Sequence, residues 1–353
     1  MNIDDVKCVH LEITNKCNAR CPGCARTSKG KTHPNIAGNL TEWSIEDIKS
    51  VFPKSSIAGK TFTLGGTVDE PMMHSNIYAV VKFLIDNGGY VEIYTNTGCN
   101  TADTFTRLAE LSTQTEMLKL FFSVDGLEET NHLYRINVQW KKVIENMTAY
   151  ATQGGKCEWQ YLVFKHNEKD IDRASLLADS LNIPFVVRQN MRNPDPYPAY
   201  EYKKVDGKMV LSTHMIQPSY NPKFEPKALK QKRNNLIKES KEDYKEINCV
   251  ILHQKEIFVS WNKKLWPCCW FANQYGFGRP IDKLDIFAEF ERDFGIEWND
   301  LNKNSLSNIL QHQYFVELLQ KSWQLDAKYH NPICFEMCGN QGIRQRYKLT
   351  EIH

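Results

Sequence analysis

From Val9 to Gln189 the chain repeats one pattern: a short apolar or alternating run rich in β-branched and aromatic residues, then a longer stretch of helical period. The runs Val9–Ile13, Thr61–Leu64, Tyr90–Thr95, Leu118–Val124, Cys157–Phe164 and Phe185–Gln189 predict strands. Between them Ser44–Phe52, Ser75–Asp86, Thr101–Leu111, Trp140–Thr152 and Asp170–Leu181 predict amphipathic helices. Ser44-Ile45-Glu46-Asp47 reads as a capping box with Asp in the usual Glu or Gln place. Strict strand–helix alternation calls for a parallel sheet with helical crossovers, and periodicity alone leaves a barrel and an open doubly wound sheet both standing.

The pattern breaks after Gln189. Residues 191–246 read as a linker or substrate-facing insertion: a Pro-, Tyr- and Asn-rich stretch excludes regular helix or central strand near Asn193–Pro198, and a charged stretch follows from Lys227 to Glu246. A third part, 247–353, opens with Cys249 and two short strands flanking Trp261-Asn262-Lys263, a hairpin without the favoured Asn-Gly or Asp-Gly turn. A helical region, Leu306–Ser322, and the pair Cys334 and Cys338 complete it.

The net charge of +2 gives no ground for a nucleic-acid or membrane partner, and no signal peptide or membrane-length apolar run is present. Eleven cysteines fall mainly into two groups, a metal pattern suited to a reducing compartment, and a cytoplasmic protein is expected. Cys99 and Cys157 lie outside the groups and read as small buried apolar residues, with a hydrogen-atom donor as the sharper alternative.

Cys17, Cys21 and Cys24 follow the first strand at C-x3-C-x2-C spacing. Thiolates are the soft ligands that iron–sulfur clusters require, and three of them leave one iron of a four-iron cube open. A zinc knuckle is the plainer reading, but zinc wants a fourth Cys or His close by, and His33 lies beyond an intervening polar stretch. Strand ends downstream carry short polar groups: Gly65-Gly66-Thr67-Val68-Asp69-Glu70-Pro71, Thr95-Asn96-Thr97-Gly98 and Ser123-Val124-Asp125-Gly126, then Tyr134-Arg135.

The cysteine spacing with these ordered strand ends resembles the radical S-adenosylmethionine (SAM) enzymes. The resemblance implies a partial (β/α)6 TIM-like barrel over 1–190, with Cys17, Cys21 and Cys24 holding a [4Fe-4S] cluster whose open iron chelates SAM. It implies SAM contacts at Gly65, Gly66, Thr67, Glu70, Thr95, Asn96, Ser123, Asp125 and Arg135, with Arg135 facing the SAM carboxylate or, in the plainer reading, lying on the surface. Two departures stand out: Thr67 follows the glycines, so that the acid arrives only at Asp69 or Glu70, and Gly23 replaces the usual aromatic before the third cysteine. His166 and Asn167 end the fifth strand and would face the site, a satisfied loop histidine being the plainer reading.

Cys249, Cys268, Cys334 and Cys338 resemble the ligands of the family's SPASM and twitch domains, and five cysteines here fit a twitch-like domain with one auxiliary [4Fe-4S] cluster. Cys269 is the alternative to Cys268, and a four-cysteine zinc site is the plainer reading. The resemblance implies an oxidoreductase or mutase that cleaves SAM to a 5′-deoxyadenosyl radical, fed by a flavodoxin- or ferredoxin-type electron donor. Few residues precede the first strand, so no N-terminal peptide-recognition domain is expected, which favours a small polar substrate over a peptide maturase. The competing class is a non-catalytic zinc- or cluster-bearing scaffold.

Overall fold

The computed structural model describes residues 2–190, 196–221, 223–224, 247–277, 286–324 and 327–339. Six parallel strands form in chain order: β1 Cys8–Leu11, β2 Thr61–Leu64, β3 Tyr90–Thr95, β4 Leu118–Ser123, β5 Cys157–Val163 and β6 Phe185–Gln189. Each lies beside its predecessor, so the order never reverses. A doubly wound sheet needs a reversal to place helices on both faces. Right-handed crossovers without one put the intervening helices on a single side, and the sheet is an incomplete (β/α)6 barrel.

The core lies between that sheet and its helices. Val9, Leu11, Phe62, Leu64, Val91, Ile93, Leu120, Phe122 and Trp159 point into it and are fully buried. The helices Ile77–Asp86 and Ala102–Gln114 answer with Val80, Val81, Leu84, Phe105, Leu108 and Ala109. Alternate positions on the strands (His10, Thr63, Glu92, Tyr94, Lys119, Glu158 and Gln160) face the other way and are only half-buried. The concave side is therefore polar. The Ser44 capping box is made in both directions, Ser44 N donating to Asp47 Oδ2 at 2.8 Å and Asp47 N to Ser44 Oγ at 3.1 Å.

Beyond the barrel the sequence reading missed an antiparallel ribbon, β7 Tyr197–Val205 with β8 Lys208–Ile216. Its turn is Asp206-Gly207, with φ of 47° and 81°, the two positive values that a two-residue hairpin turn requires. The charged stretch 227–246 lies outside the described residues. The expected C-terminal hairpin is present as β9 Glu256–Val259 and β10 Leu265–Trp266, with Lys263 at φ 60° taking the turn position that glycine usually fills. β9 also pairs in parallel with β1, Cys8 opposite Glu256 and Leu11 opposite Val259, so the C-terminal segment continues the barrel sheet into eight strands. The helical region expected at Leu306–Ser322 is broken into Leu306–Leu310, a π-helical turn at Tyr314–Leu318 and Leu319–Lys321. No helix among the described residues is long and apolar enough to cross a membrane.

Trp159 is a sharp test of this packing: it is wholly buried, and its indole N–H donates to Val124 O at 2.8 Å. Trp159→Ala is expected to cost about 3–5 kcal/mol, read as a lowered midpoint in denaturant unfolding.

Candidate functional site

The loop carrying Cys17, Cys21 and Cys24 leaves β1 at the carboxyl ends of the strands, where parallel α/β folds build their sites. It is anchored first by Asn15, whose amide donates to Asn39 O at 2.7 Å and accepts from Thr41 N at 2.8 Å. Asn18 then ties it to the end of β3: its Nδ2 donates to Gly98 O at 3.0 Å, and its Oδ1 accepts from Asn96 Nδ2 at 2.9 Å. A turn with Cys24 N donating to Cys21 O draws the second and third cysteines together, and Cys24 Sγ donates to Thr67 O at 3.3 Å.

The three thiols feel one another. Burial pushes the Cys17 thiol well up, with Glu70, Cys21 and Cys24 adding to the shift. Burial likewise lifts Cys21 to about 11 against the opposing pull of Arg135. Among the described residues no three His, Cys, Asp or Glu side chains are drawn together as the ligands of a single metal ion. An all-thiol set on one loop, beside the half-buried Arg135, fits a three-ligand iron–sulfur cluster better than a zinc knuckle.

The β2 end explains its paired glycines. Gly65 and Gly66 have φ of 89° and 116°, and a Cβ on Gly65 would come within 2.7 Å of Tyr94 O and 2.8 Å of Pro71 Cδ. His10 Nε2 lies 2.9 Å from Gly65 O, fixing the turn from inside the barrel. Glu70 is buried and engaged: Oε2 accepts from Asn96 N at 2.7 Å and Oε1 from Met72 N at 3.2 Å. Asp69 differs, because both of its carboxylate oxygens are buried without a hydrogen-bond partner, as is the Thr67 hydroxyl. Burial, then Glu12 and Glu70, hold the Asp69 carboxyl far above the usual carboxylate range.

Glu12, which sequence reasoning passed over, is 2% exposed. It accepts from Val68 N at 3.1 Å and from Trp261 N at 3.4 Å. It thus joins the β2 loop to the C-terminal hairpin. The signal was a carboxylate inside the apolar run Val9–Ile13. Arg26, also buried, donates to Val68 O at 3.3 Å and to Asn15 O.

The ends of β3 and β4 are polar, and most of their groups are engaged by neighbouring backbone or side chains. Thr95 Oγ1 accepts from Thr97 N at 3.0 Å, and Asn96 Oδ1 from Gly98 N at 2.8 Å. Ser123 is half-buried, in register with Gln160 of β5. Asp125, 1% exposed, accepts from Leu162 N at 2.8 Å and from Arg135 Nε at 2.7 Å. Arg135 is not a surface residue. Burial alone would lower its pKa, but Asp125 and the Cys21 thiol hold it higher, and its Nη1 stands 3.9 Å from Cys21 Sγ.

Asn167 is fully buried and satisfied, donating to Asp125 O and Leu162 O at 2.9 Å each and accepting from Phe164 N at 2.7 Å. His166 is the reverse of the satisfied loop histidine expected: its Nε2 is buried without a partner, and burial brings its pKa down to about 4. Cys99 is buried at the same end, where Glu70 and Cys17 act on its thiol, whereas Cys157 begins β5 at the opposite end.

The C-terminal cysteines occupy one region, where their thiols act on one another. Cys334 and Cys338 sit four apart on the helix Pro332–Cys338, hence on one face of it. The bridge between Ile247 and Gly339, with Asn248 N donating to Cys338 O at 3.1 Å, brings Cys249 beside that helix. Cys268 follows β10, and burial, then Cys269, Cys334 and Cys249, raise its thiol pKa well above normal. Cys269 starts the helix Cys269–Phe277 next to it.

Glu12 gives a pH test. Burial lifts its carboxyl to about 8, against the hydrogen bonds from Val68 and Trp261. The folded chain therefore keeps this proton at pH values where the unfolded chain has lost it. Stability is full below the ordinary carboxylate range and falls as pH rises towards about 8, by up to about 1.4 kcal/mol per pH unit. Glu12→Gln is expected to flatten that fall in denaturant titrations of the apoprotein, and an unchanged slope contradicts the assignment.

Residues 11–178 match the family described as the Radical SAM superfamily. No curated protein matches the chain significantly. Among solved structures the chain is similar to SuiB of Streptococcus suis bound to S-adenosylmethionine, with a TM-score of 0.50 and 14% identity over 75% of this chain and 61% of that one. SuiB bound to its precursor peptide SuiA gives the same score and identity over 77% and 60%. It is also similar to anSMEcpe with bound AdoMet, at a TM-score of 0.52 and 14% identity over 97% of this chain and 95% of that one. The chain thus spans 61% of SuiB's length in the SAM-bound form, and at such identities the likeness is one of fold. Residues 11–178 thus carry this chain's likeness to the radical SAM superfamily.

Proposed function

We propose that the chain is a radical SAM enzyme acting on a small polar substrate, with a barrel over 1–190, an insertion over 191–246 and an auxiliary-cluster domain over 247–353. One observation carries this reading: Cys17, Cys21 and Cys24 are grouped on a loop tied to the β3 end, with Cys21 against the Arg135–Asp125 pair. A [4Fe-4S] cluster there, with SAM on its open iron, would supply reductive cleavage of SAM and hydrogen abstraction from the substrate.

The protein's own residues bind and orient. Arg135 is positioned to pair with a carboxylate beside the cluster, because Asp125 holds its Nε and leaves Nη1 turned towards Cys21. Glu70 is the expected partner of the SAM ammonium by resemblance, but its oxygens support Asn96 and Met72. Asp69, with both oxygens unpartnered, is the better candidate on this loop, and Glu70 is then a positioning residue. Gly65 and Gly66 let the backbone approach the ligand. Thr67, Thr95, Asn96 and Ser123 line the strand ends towards SAM.

The polar concave face favours a small polar substrate. Lys119 pairs with Glu158 at 3.0 Å, and Arg188 lies 3.7 Å from the same carboxylate, so charged groups are already fixed inside the barrel. A peptide substrate is the second reading. SuiB and anSMEcpe have been solved with peptides bound. The β7–β8 ribbon packs on the Leu133 carbonyl through His214 and carries no third strand among the described residues. An extended peptide adds to such an edge.

The C-terminal thiols Cys249, Cys268, Cys334 and Cys338 would close a second [4Fe-4S] cluster and leave it no open iron, which suits electron relay. A flavodoxin- or ferredoxin-type protein is the proposed donor. Anaerobic reconstitution should give iron and sulfide near ~8 each per chain, the sum of two cubanes, and SAM should perturb the EPR spectrum of the reduced N-terminal cluster. Zinc with little iron would overturn the enzyme reading in favour of a scaffold.

A further inference from the structure

Three buried hydrogen-bond donors in the C-terminal part have no partner: the Tyr314 hydroxyl, the Trp323 indole N–H and the Asn331 amide nitrogen. Leaving such a donor unsatisfied costs about 1–3 kcal/mol, so three together call for an acceptor. We propose that Tyr314, Trp323 and Asn331 donate to the sulfurs of the C-terminal iron–sulfur cluster and raise its reduction potential. The inference rests on the auxiliary-cluster reading.

Each donor is fixed before any ligand arrives. Tyr314 is fully buried, its ring held by Phe290 at 4.8 Å, Trp298 at 5.3 Å and Phe271 at 6.1 Å between centroids. Burial raises the pKa of its hydroxyl, Cys334, Cys268 and Cys249 add to the rise, and the Asn331 side chain beside it opposes the rise. Asn331 spends its Oδ1 on Ile333 N at 3.1 Å and Cys334 N at 3.4 Å at the start of the Cys334–Cys338 helix. Those bonds fix the amide's orientation, with its side chain set beside the Tyr314 hydroxyl. Trp323 stands against the Cys334 thiol and lowers that thiol's pKa, against the larger upward effect of burial.

The sign of the effect follows from electrostatics. Reduction adds an electron to a buried cluster, and an N–H or O–H dipole with its positive end towards the sulfurs stabilises the added charge. Donors with no other partner are preorganised for that work and need no rearrangement when the cluster is reduced.

The test uses the full chain with Cys17, Cys21 and Cys24 all replaced by Ala, so that only the C-terminal site can be loaded. Anaerobic reconstitution and an EPR-monitored redox titration then read one cluster. Tyr314→Phe and Trp323→Phe are each expected to lower the reduced-to-oxidised ratio at fixed potential about tenfold, equal to ~59 mV for a one-electron couple, with iron content unchanged. Tyr329→Phe is the control. It removes a hydroxyl in the same aromatic cluster, but one already donated to Asp293 at 2.7 Å, and should leave the potential where it was. A full cluster whose potential ignores Tyr314→Phe and Trp323→Phe, or follows Tyr329→Phe equally, overturns the donor proposal and leaves the cluster standing. Zinc, or no iron, in the triple-Ala chain overturns the cluster reading itself.

Discussion

The buried polar contacts between the cysteine loop and the strand ends are the constraint on which the site depends. A loop of three thiols has no intrinsic reason to face the barrel mouth. Asn18, reaching to Asn96 and Gly98, gives it one, and Glu70 in turn holds the Asn96 backbone. On the other side Asp125 holds Arg135 at 2.7 Å and pins β5 through Leu162 N. Glu70, Asn96 and Asp125 are buried and Asn18 and Arg135 half-buried, so breaking one contact leaves a partner unsatisfied in a low dielectric, a larger loss than the bond itself is worth. The network thus fixes geometry more than it adds stability.

The same principle joins the two halves of the chain. β9 lies in register beside β1, and Glu12 at the end of β1 receives the Trp261 N–H from the turn that follows β9. Trp43 adds a second link, its indole donating to Trp261 O at 2.9 Å. Cys268, just past β10, therefore follows the same sheet whose β1 leads into the Cys17 loop. The proposed electron relay needs such fixed separation, and a shared strand pair would provide it without a large separate interface.

The barrel was legible because each element carries its own evidence: a buried alternation for strands, a 3.6-residue apolar stripe for helices and a capping box at Ser44. Cys17, Cys21 and Cys24 were legible for the same reason, since their spacing is local. What failed is non-local or exposed. Nothing in Glu256–Val259 names β1 as its partner. The β7–β8 ribbon is largely exposed, so its alternation is weak, although Asp206-Gly207 between Val205 and Lys208 was a turn signal in plain sight. The helix at Cys334–Cys338 was likewise marked by Asn331 and Pro332, a cap followed by proline at the first helical position. That Glu70 is occupied while Asp69 is open depends on which backbone N–H groups reach them, and no spacing rule encodes it.

The central claim is that Cys17, Cys21 and Cys24 hold a cluster that reduces SAM. The most direct measurement is 5′-deoxyadenosine formed from SAM and dithionite by anaerobically reconstituted protein, compared with the chain in which all three cysteines are Ala. The account predicts 5′-deoxyadenosine from the intact protein and none from the variant. A fully loaded, reducible N-terminal cluster that leaves SAM intact, or equal product from both proteins, would contradict it.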